Sequence, residues 1–165
     1  MARPPGGKEK KENKMERKLT NIRIIHDCYT HVTREGDPND RWDRDSTEQS
    51  HTIRGFEVVK EDRWGDFKVP FEIDPAKEYY LLAVYYDTGD SFGTDGNRID
   101  MIDLYDDIEL AMESKRRILE NNKNEEGYSV TILNPLGKEY MISASWKGYF
   151  ENLNDVEIHR VKMKL

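Results

Sequence analysis

The stretch that decides the fold is Tyr79-Tyr80-Leu81-Leu82-Ala83-Val84-Tyr85-Tyr86, an unbroken run of apolar and aromatic residues. A strand with one solvent-facing side alternates apolar and polar residues, whereas this run is apolar at both parities. Both faces of the strand therefore need a covering layer. We expect the run to form the centre of a sheet.

A glycine-rich segment follows directly, Asp87 to Arg98, with the sequence Asp-Thr-Gly-Asp-Ser-Phe-Gly-Thr-Asp-Gly-Asn-Arg. Ile99 and Met101 then continue as a partner strand, so the segment is predicted to be a long hairpin loop beside the central strand. It has no lysine at the spacing of a P-loop, and its carboxylates would repel phosphate. These features argue against a nucleotide-binding loop.

Other segments alternate with a period of two residues, which is typical of strands. Pro70 lacks a backbone donor, so the strand that contains it should lie at a sheet edge. The predicted strands are Leu19 to Val32, Thr52 to Lys60, Phe67 to Ile73, Val130 to Leu133, Lys138 to Trp146 and Val156 to Leu165.

One helix is predicted to begin at Asp106 or Asp107 and to end between Asn121 and Asn124. Asp106 and Glu109 have the spacing of a capping box. The apolar residues at helical spacing are Ile108, Ala111, Met112 and Leu119. Together the elements predict an α+β fold: a mostly antiparallel sheet of six to eight strands with one principal helix packed on one face.

Charge divides the chain of 165 residues, which has a net charge of -7, into two parts. Residues 1–18 carry seven Lys or Arg against three Glu, a balance of +4, so the remainder carries -11. The first part has little to bury, which predicts a disordered basic tail over 1–18. Residues 19–165 are predicted to form a single α+β domain with a long polar loop at 33–50.

Two function classes are disfavoured by composition. The sequence contains no apolar run of the roughly 18 residues that a membrane helix needs, nor the apolar core of a secretory signal, so we expect a cytoplasmic protein with no membrane partner. The single cysteine, Cys28, excludes an intrachain disulfide and is expected to be a small buried residue on a strand. The acidic body argues against direct nucleic-acid binding, although the basic tail leaves that possibility open.

A divalent cation is one possible ligand of the glycine-rich segment. Asp87, Asp90 and Asp95 are the candidate metal ligands, because hard cations take several carboxylate oxygens. The spacing does not match an EF-hand loop. The alternative is that these aspartates make side chain to backbone turns.

A partner-binding surface is also predicted in the two polar loops. Trp42 lies between Arg41 and Arg44, and an aromatic anchor flanked by arginine is typical of a binding hot spot. The alternative is that Trp42 folds back onto the sheet and pins the loop. The remaining candidate contact residues are Asp40, Asp43, Asp45, Asp90, Phe92 and Asp95.

The four histidines, His26, His31, His51 and His159, lie on predicted strands or near their ends. His26 could meet Cys28, or His31 could meet His51, to form a metal or nucleophile pair. No local motif such as H-E-x-x-H supports this chemistry, so each is expected to be a strand-surface histidine.

The motif Tyr85-Tyr86-Asp87-Thr88-Gly89-Asp90-Ser91-Phe92-Gly93, followed by Trp146-Lys147-Gly148-Tyr149-Phe150-Glu151, resembles a pattern in small uncharacterised proteins of bacteriophages and mobile elements. The likeness runs from Tyr79 to the C-terminus. It implies a phage-encoded accessory protein that acts in the host cytoplasm, and it brings no activity or catalytic residues.

The first functional hypothesis is a non-enzymatic accessory protein that binds a host protein or protein complex and inhibits or redirects it. A defence complex or a nucleic-acid-processing complex would be such a target. The hypothesis needs no cofactor, and it follows from the missing catalytic motif, the small size and the charge distribution. The alternative is a protein or enzyme that binds a small ligand or a divalent cation with the aspartate-rich segment 87–98.

Overall fold

The computed structural model describes residues 19–122, 128–146 and 149–165, and within these ranges the chain has an α+β fold. The helix α1 (Ile108–Asn121) lies between the fifth and sixth of eight strands. The strands are β1 (Thr20–Arg34), β2 (Ser46–Val58), β3 (Phe67–Val69), β4 (Tyr79–Asp90), β5 (Thr94–Tyr105), β6 (Tyr128–Thr131), β7 (Glu139–Trp146) and β8 (Tyr149–Val161). The predicted tail over 1–18 lies outside the described residues.

The strand order is β3-β1-β2-β5-β4-β8-β7-β6, and the described pairings are antiparallel except for a short contact between β2 and β5 and a single bridge between Phe56 and Met163, which are parallel. The predicted fold class, a mostly antiparallel sheet with one principal helix on a face, is therefore confirmed. In the part of the chain that the structure describes, no helix has the length and apolar character needed to span a membrane.

Strand β4 is covered on both faces, as its apolar run predicts. Tyr79 and Leu81 pack in a cluster with buried side chains of β1, β2 and β3, whereas Leu82 and Val84 pack in a second cluster with the helix. These side chains are almost fully buried, and each contributes about 1.5–3 kcal/mol of transfer free energy. The first cluster also holds Ile22, Phe56, Val69, Leu104 and Val161, and the second holds Ile102, Tyr105, Ala111, Ile118, Val130, Ile132 and Val156.

The start of the helix differs from the predicted capping box. Asp107, not Asp106, is the N-cap, and its side chain accepts a hydrogen bond of 2.9 Å from the backbone N–H of Glu109. Asp107 has the extended backbone that an N-cap needs, and the helix follows at Ile108. The sequence offers two adjacent aspartates, and spacing alone chose the wrong one.

The buried face of the helix is also displaced from the predicted one. Ala111, Ser114 and Ile118 are buried, whereas Met112 and Leu119 are 50% and 47% exposed. The buried residues follow the three- and four-residue spacing of a single helix face. The predicted set mixed two faces, because Met112 and Leu119 lie one position beyond the buried residues Ala111 and Ile118.

The predicted hairpin between β4 and β5 is confirmed, but its loop is much shorter than the predicted segment 87–98. Pairing continues as far as Gly89 opposite Thr94, so only residues 91–93 lie between the two strands. Asn97 has a positive φ of 54° and lies beside an irregularity in the pairing, within β5. Most of the glycine-rich segment is therefore strand.

The ribbon of β1 and β2 is longer than predicted. β1 continues to Arg34 and β2 begins at Ser46, so the polar loop spans 35–45 rather than 33–50. From Asp27 onward β1 is exposed on both faces, because the ribbon runs beyond the two apolar clusters. Cys28 lies on this part of β1 and is exposed, so the expectation that it is buried is wrong.

Two other predicted strands differ in extent. The segment Phe67 to Ile73 pairs only over Phe67–Val69, and it lies at the sheet edge as Pro70 predicts. The last strand, predicted over Val156 to Leu165, begins instead at Tyr149 and ends at Val161. Residues 147–148, which precede β8, lie outside the described residues.

Strand β2 is attached to the central sheet at its two ends. Near its start, Thr47 and Glu48 pair with β5, and near its end Phe56 pairs with Met163, which follows β8. In this second contact, the backbone N–H of Phe56 donates to the carbonyl of Lys162 at 3.3 Å, and the carbonyl of Phe56 accepts from the N–H of Lys164 at 2.8 Å. Between these two contacts, His51 of β2 lies beside Tyr85 of β4, and we call this middle part of β2 the β2 arch. A cleft lies beneath it, between His51 and residues of β4 and β8.

Candidate functional site

The polar loop 35–45 is bound to the β4–β5 turn by Arg34. Its Nη2 atom donates to the carbonyl oxygen of Phe92 at 2.7 Å and to that of Arg44 at 3.2 Å. The same guanidinium holds Asp43 with hydrogen bonds of 2.9 and 3.3 Å. One side chain at the end of β1 thus joins the polar loop and the turn.

Arg44 makes a second connection between the same segments. Its backbone N–H donates to the carbonyl of Phe92 at 3.4 Å, and its Nη2 donates to the carbonyl of Gly93 at 2.6 Å. Its guanidinium also lies 3.8 Å from Asp90 and 3.5 Å from Asp95. The loop is therefore held in place by backbone contacts as well as by ion pairs.

These contacts bring Trp42 and Phe92 together. Their ring centroids lie 6.5 Å apart, although the residues are separated by 50 positions in the sequence. The two side chains are 60% and 43% exposed, and the guanidinium of Arg41 lies 4.7 Å from the centroid of the Trp42 ring. We call Arg41, Trp42 and Phe92 the aromatic patch. Trp42 lies beside Phe92 of the turn and stays exposed, and its role as a partner-binding anchor stays a prediction.

The acidic residues predicted to contact a partner also hold the two loops in shape, and their contact with a partner stays a prediction. Each accepts hydrogen bonds from nearby groups, mostly backbone amides, at 2.7 to 3.1 Å. The pairs are Asp40 with Trp42 N, Asp43 with Asp37 N, Asp45 with Gly36 N, Asp90 with Phe92 N and Gly93 N, and Asp95 with the Thr47 hydroxyl.

The electrostatics of two of these carboxyls follow from their partners. The hydrogen bond from Arg34 holds the pKa of Asp43 below its ordinary value. The backbone N–H of Phe92 has the same effect on the pKa of Asp90, because it favours the charged carboxylate. Both carboxyls are therefore ionised at neutral pH, and their charges are stabilised by the hydrogen bonds that hold the polar loop and the β4–β5 turn.

The three predicted metal ligands do not share one centre. Asp87 Oδ1 accepts hydrogen bonds from Asn97 N at 2.8 Å and Asn154 Nδ2 at 2.7 Å, while Asp90 and Asp95 flank the guanidinium of Arg44. In the described ranges, no group of three or more His, Cys, Asp or Glu side chains is arranged to hold a metal ion. A divalent-cation site in this segment stays a prediction.

The histidine pairs differ from both predicted ones. His26 Nε2 lies 2.9 Å from His51 Nδ1, and His31 Nε2 lies 3.0 Å from the hydroxyl of Ser50. Cys28 is the cross-strand neighbour of His51 in the β1–β2 register. The irregularity in pairing after Ile25 sets this arrangement, and period-two alternation could not reveal it.

A further cluster lies in the cleft beneath the β2 arch, and sequence reasoning missed it. The hydroxyl of Tyr85 lies 2.8 Å from His159 Nε2, which is 3.6 Å from Glu157 Oε2. The ring of His51 lies above, with its centroid 5.8 Å from that of Tyr85. The cavity has a volume of about 300 Å³. Alternation places Glu157 and His159 on one face of β8, but only the β4–β8 register sets them beside Tyr85.

A buried carboxyl, Asp103, is a second feature that no motif signalled. It is 1% exposed, and burial raises its pKa to about 6. Its carboxylate accepts from its neighbour Leu104 N at 2.9 Å and lies 3.9 Å from Lys138 Nζ. The stability of the folded chain therefore depends on the protonation of Asp103.

Comparison of the chain with protein-family models, with curated proteins and with solved structures finds no match.

Proposed function

We propose that this chain is a non-enzymatic protein-binding accessory protein that docks on its partner through the aromatic patch. The observation that carries the proposal is the position of Trp42 and Phe92, which lie side by side yet remain 60% and 43% exposed. Tryptophan and arginine are enriched among residues that dominate binding free energy. Burial of the two rings by a partner would gain about 1.5–3 kcal/mol for each.

The shape of the patch is established before binding. Arg34 and Arg44 hold the polar loop against the β4–β5 turn through three hydrogen bonds to carbonyl oxygens of the turn. A surface that is already ordered loses less conformational entropy when it binds. This preorganisation supports a binding role for Trp42 over a role in loop packing alone.

The proposed partner is a host protein or protein complex. The resemblance to phage and mobile-element proteins supports an accessory protein that inhibits or redirects a host factor in the host cytoplasm. A defence complex or a nucleic-acid-processing complex is the kind of target we propose. The acidic residues around the patch make hydrogen bonds within the polar loop and the β4–β5 turn. We therefore propose that the aromatic rings and Arg41 supply the contact with the partner.

Affinity capture from host lysate tests the patch, with purified wild-type protein and single variants compared side by side. Trp42→Ala and Phe92→Ala should recover much less of a partner, with the thermal unfolding transition nearly unchanged. Trp64→Ala is the matched control, because Trp64 is fully exposed and lies in a different loop. Equal recovery by all variants, or an equal loss with Trp64→Ala, would show that the patch is not the contact surface.

A second candidate function is the binding of a small polar ligand beside the same turn. A cavity of about 340 Å³ lies there and is lined in part by Arg44, Asp90, Asp95 and Arg98. Thermal shift with calcium, magnesium, manganese and nucleotides tests it, since a ligand at a hundredfold excess over its Kd stabilises the native state by about 2.7 kcal/mol. A shift that Asp90→Asn and Asp95→Asn abolish would favour this function.

A further inference from the structure

The cleft beneath the β2 arch is separate from the aromatic patch and has its own set of polar groups. Its roof is His51 on β2, and its floor is formed by Tyr85 on β4 with Glu157 and His159 on β8. Asp155 lies opposite Tyr85 in the β4–β8 register and forms part of the rim. The volume of about 300 Å³ is at the small end of the range for ligand sites.

Hydrogen bonds hold His51 at the roof of the cleft. Its Nε2 lies 2.5 Å from the carbonyl oxygen of Asn97, which can only accept, so Nε2 carries a proton. Its Nδ1 lies 2.9 Å from His26 Nε2, so one of these two nitrogens donates to the other. The ring is therefore fixed between Asn97 and His26.

The floor and rim are negatively charged. Glu157 and Asp155 project from the same face of β8, because they are two residues apart in a strand. Within the described residues, no lysine or arginine lines this cleft. The two carboxylates thus face the cavity beside the flat rings of Tyr85 and His51, and they favour a ligand with a positive charge.

An ammonium group fits these surroundings. It has donors only, and the floor offers the carboxylate of Glu157 and the hydroxyl oxygen of Tyr85 as acceptors. Tyr85 lines the same cavity, and an aromatic ring attracts a nearby cation. Asp155 at the rim supplies a second carboxylate, which suits a further positive group on the same molecule. We propose that the cleft beneath the β2 arch binds a small organic amine.

Titration of the full-length protein with putrescine and with agmatine near neutral pH tests this proposal. Binding is measured by calorimetry and by NMR. We expect saturable binding with chemical-shift changes at His51, Tyr85, Glu157 and His159. Butanediol and succinate, which are neutral and negative, should not bind. Absence of saturable amine binding, or equal binding of butanediol, would overturn the proposal.

Two variants localise the site. Glu157→Gln should weaken amine binding about tenfold or more, as expected for the loss of a hydrogen bond between charged groups. Glu72→Gln should bind like the wild type, because Glu72 is exposed and lies between β3 and β4, away from the cleft. Unchanged amine binding by Glu157→Gln would overturn the assignment of this site.

Zinc(II) distinguishes a metal site from an amine site. If zinc shifts the same resonances and neither amine does, the amine assignment is wrong. Trp42→Ala should retain amine binding, because Trp42 lies outside the cleft. Failure of the aromatic patch and failure of the amine site would therefore be separate results.

Discussion

Gly93 and Arg44 are packed so closely that a β-carbon at Gly93 would lie 2.5 Å from Arg44 Cγ and 3.0 Å from its carbonyl oxygen. Real β-carbons do not approach other heavy atoms to 2.5 Å, so a larger residue would have to displace Arg44. Glycine at this position allows the polar loop to dock on the β4–β5 turn. The relative position of Trp42 and Phe92 depends on that close approach.

Gly93→Ala should move the polar loop away from the turn, because the new methyl group meets Arg44. NMR contacts between the rings of Trp42 and Phe92 should be lost, and partner recovery should fall. Gly96→Ala is the control, since a β-carbon there would lie 3.4 Å from its closest neighbour, an ordinary contact. Retention of the ring contacts in Gly93→Ala would contradict the role of this packing.

Asp107→Ala should destabilise the protein by about 0.5–2 kcal/mol, as expected for loss of a helix N-cap. Asp106→Ala should change stability by less than about 0.5 kcal/mol, as is usual for an exposed residue. Urea unfolding of both variants measures the difference. A larger effect at Asp106 would mean that the helix starts one residue earlier than the structure places it.

The free energy of unfolding should fall in mild acid because of His26. Burial lowers its pKa from the ordinary value of 6.5, and the neighbouring His51 lowers it further, while Asp27 opposes the shift. The unfolded chain then binds a proton at His26 more readily than the folded chain, so stability is complete above 6.5 and is lost as pH falls below it.

Urea unfolding from neutral pH to about pH 5 should show this loss in the wild type and a smaller loss in His26→Gln. Glutamine does not titrate and can still donate to His51. The same pH dependence in both proteins would argue against His26 as its source.

Asp103 should give the opposite pH dependence of the free energy of unfolding. Burial raises its pKa from 3.8 to about 6, so the folded chain holds this proton more tightly, and stability is lost as pH rises from 3.8 through about 6. Asp103→Asn should stabilise the protein near neutral pH by roughly 1–3 kcal/mol, and the gain should shrink near pH 4. The side-chain carbonyl of the substituted asparagine can still accept a hydrogen bond from Leu104 N.

Unfolding in urea at the two pH values measures the effect of Asp103→Asn, with Asp62→Asn as an exposed control. Asp62 is paired only at the surface, with Lys68, so its replacement should have little effect. Destabilisation of Asp103→Asn near neutral pH would mean that the ion pair with Lys138 outweighs the cost of burial.

Periodicity predicted much of the fold because it depends on neighbours in the chain. The apolar run of β4 required cover on both faces, and the structure supplies the helix on one side and β1–β3 on the other. Boundaries were predicted less well. The β4–β5 turn spans only 91–93, which is shorter than predicted, because strand pairing extends through glycine and aspartate residues that resemble a loop in sequence.

The candidate sites were predicted only in part. An exposed tryptophan flanked by arginines is visible in the sequence, and so is the aspartate-rich turn. The sequence does not show that the tryptophan loop docks on this turn through Arg34 and Gly93, because the docking depends on where the ribbon of β1 and β2 ends and how it bends. The aspartates also could not be assigned beforehand, since a carboxylate that closes a turn and one that faces a partner have the same sequence signal.

The sequence by itself determined the central strand, the α+β class and the position of the helix, because these follow from local hydrophobic periodicity. Only the tertiary structure decided which distant side chains meet. Tyr85 reaches His159 across 74 positions through the β4–β8 register, and His51 joins them because β2 is anchored at both ends and arches between. Register shifts and the arch are long-range properties of strand pairing, so a single sequence carries no local pattern for them.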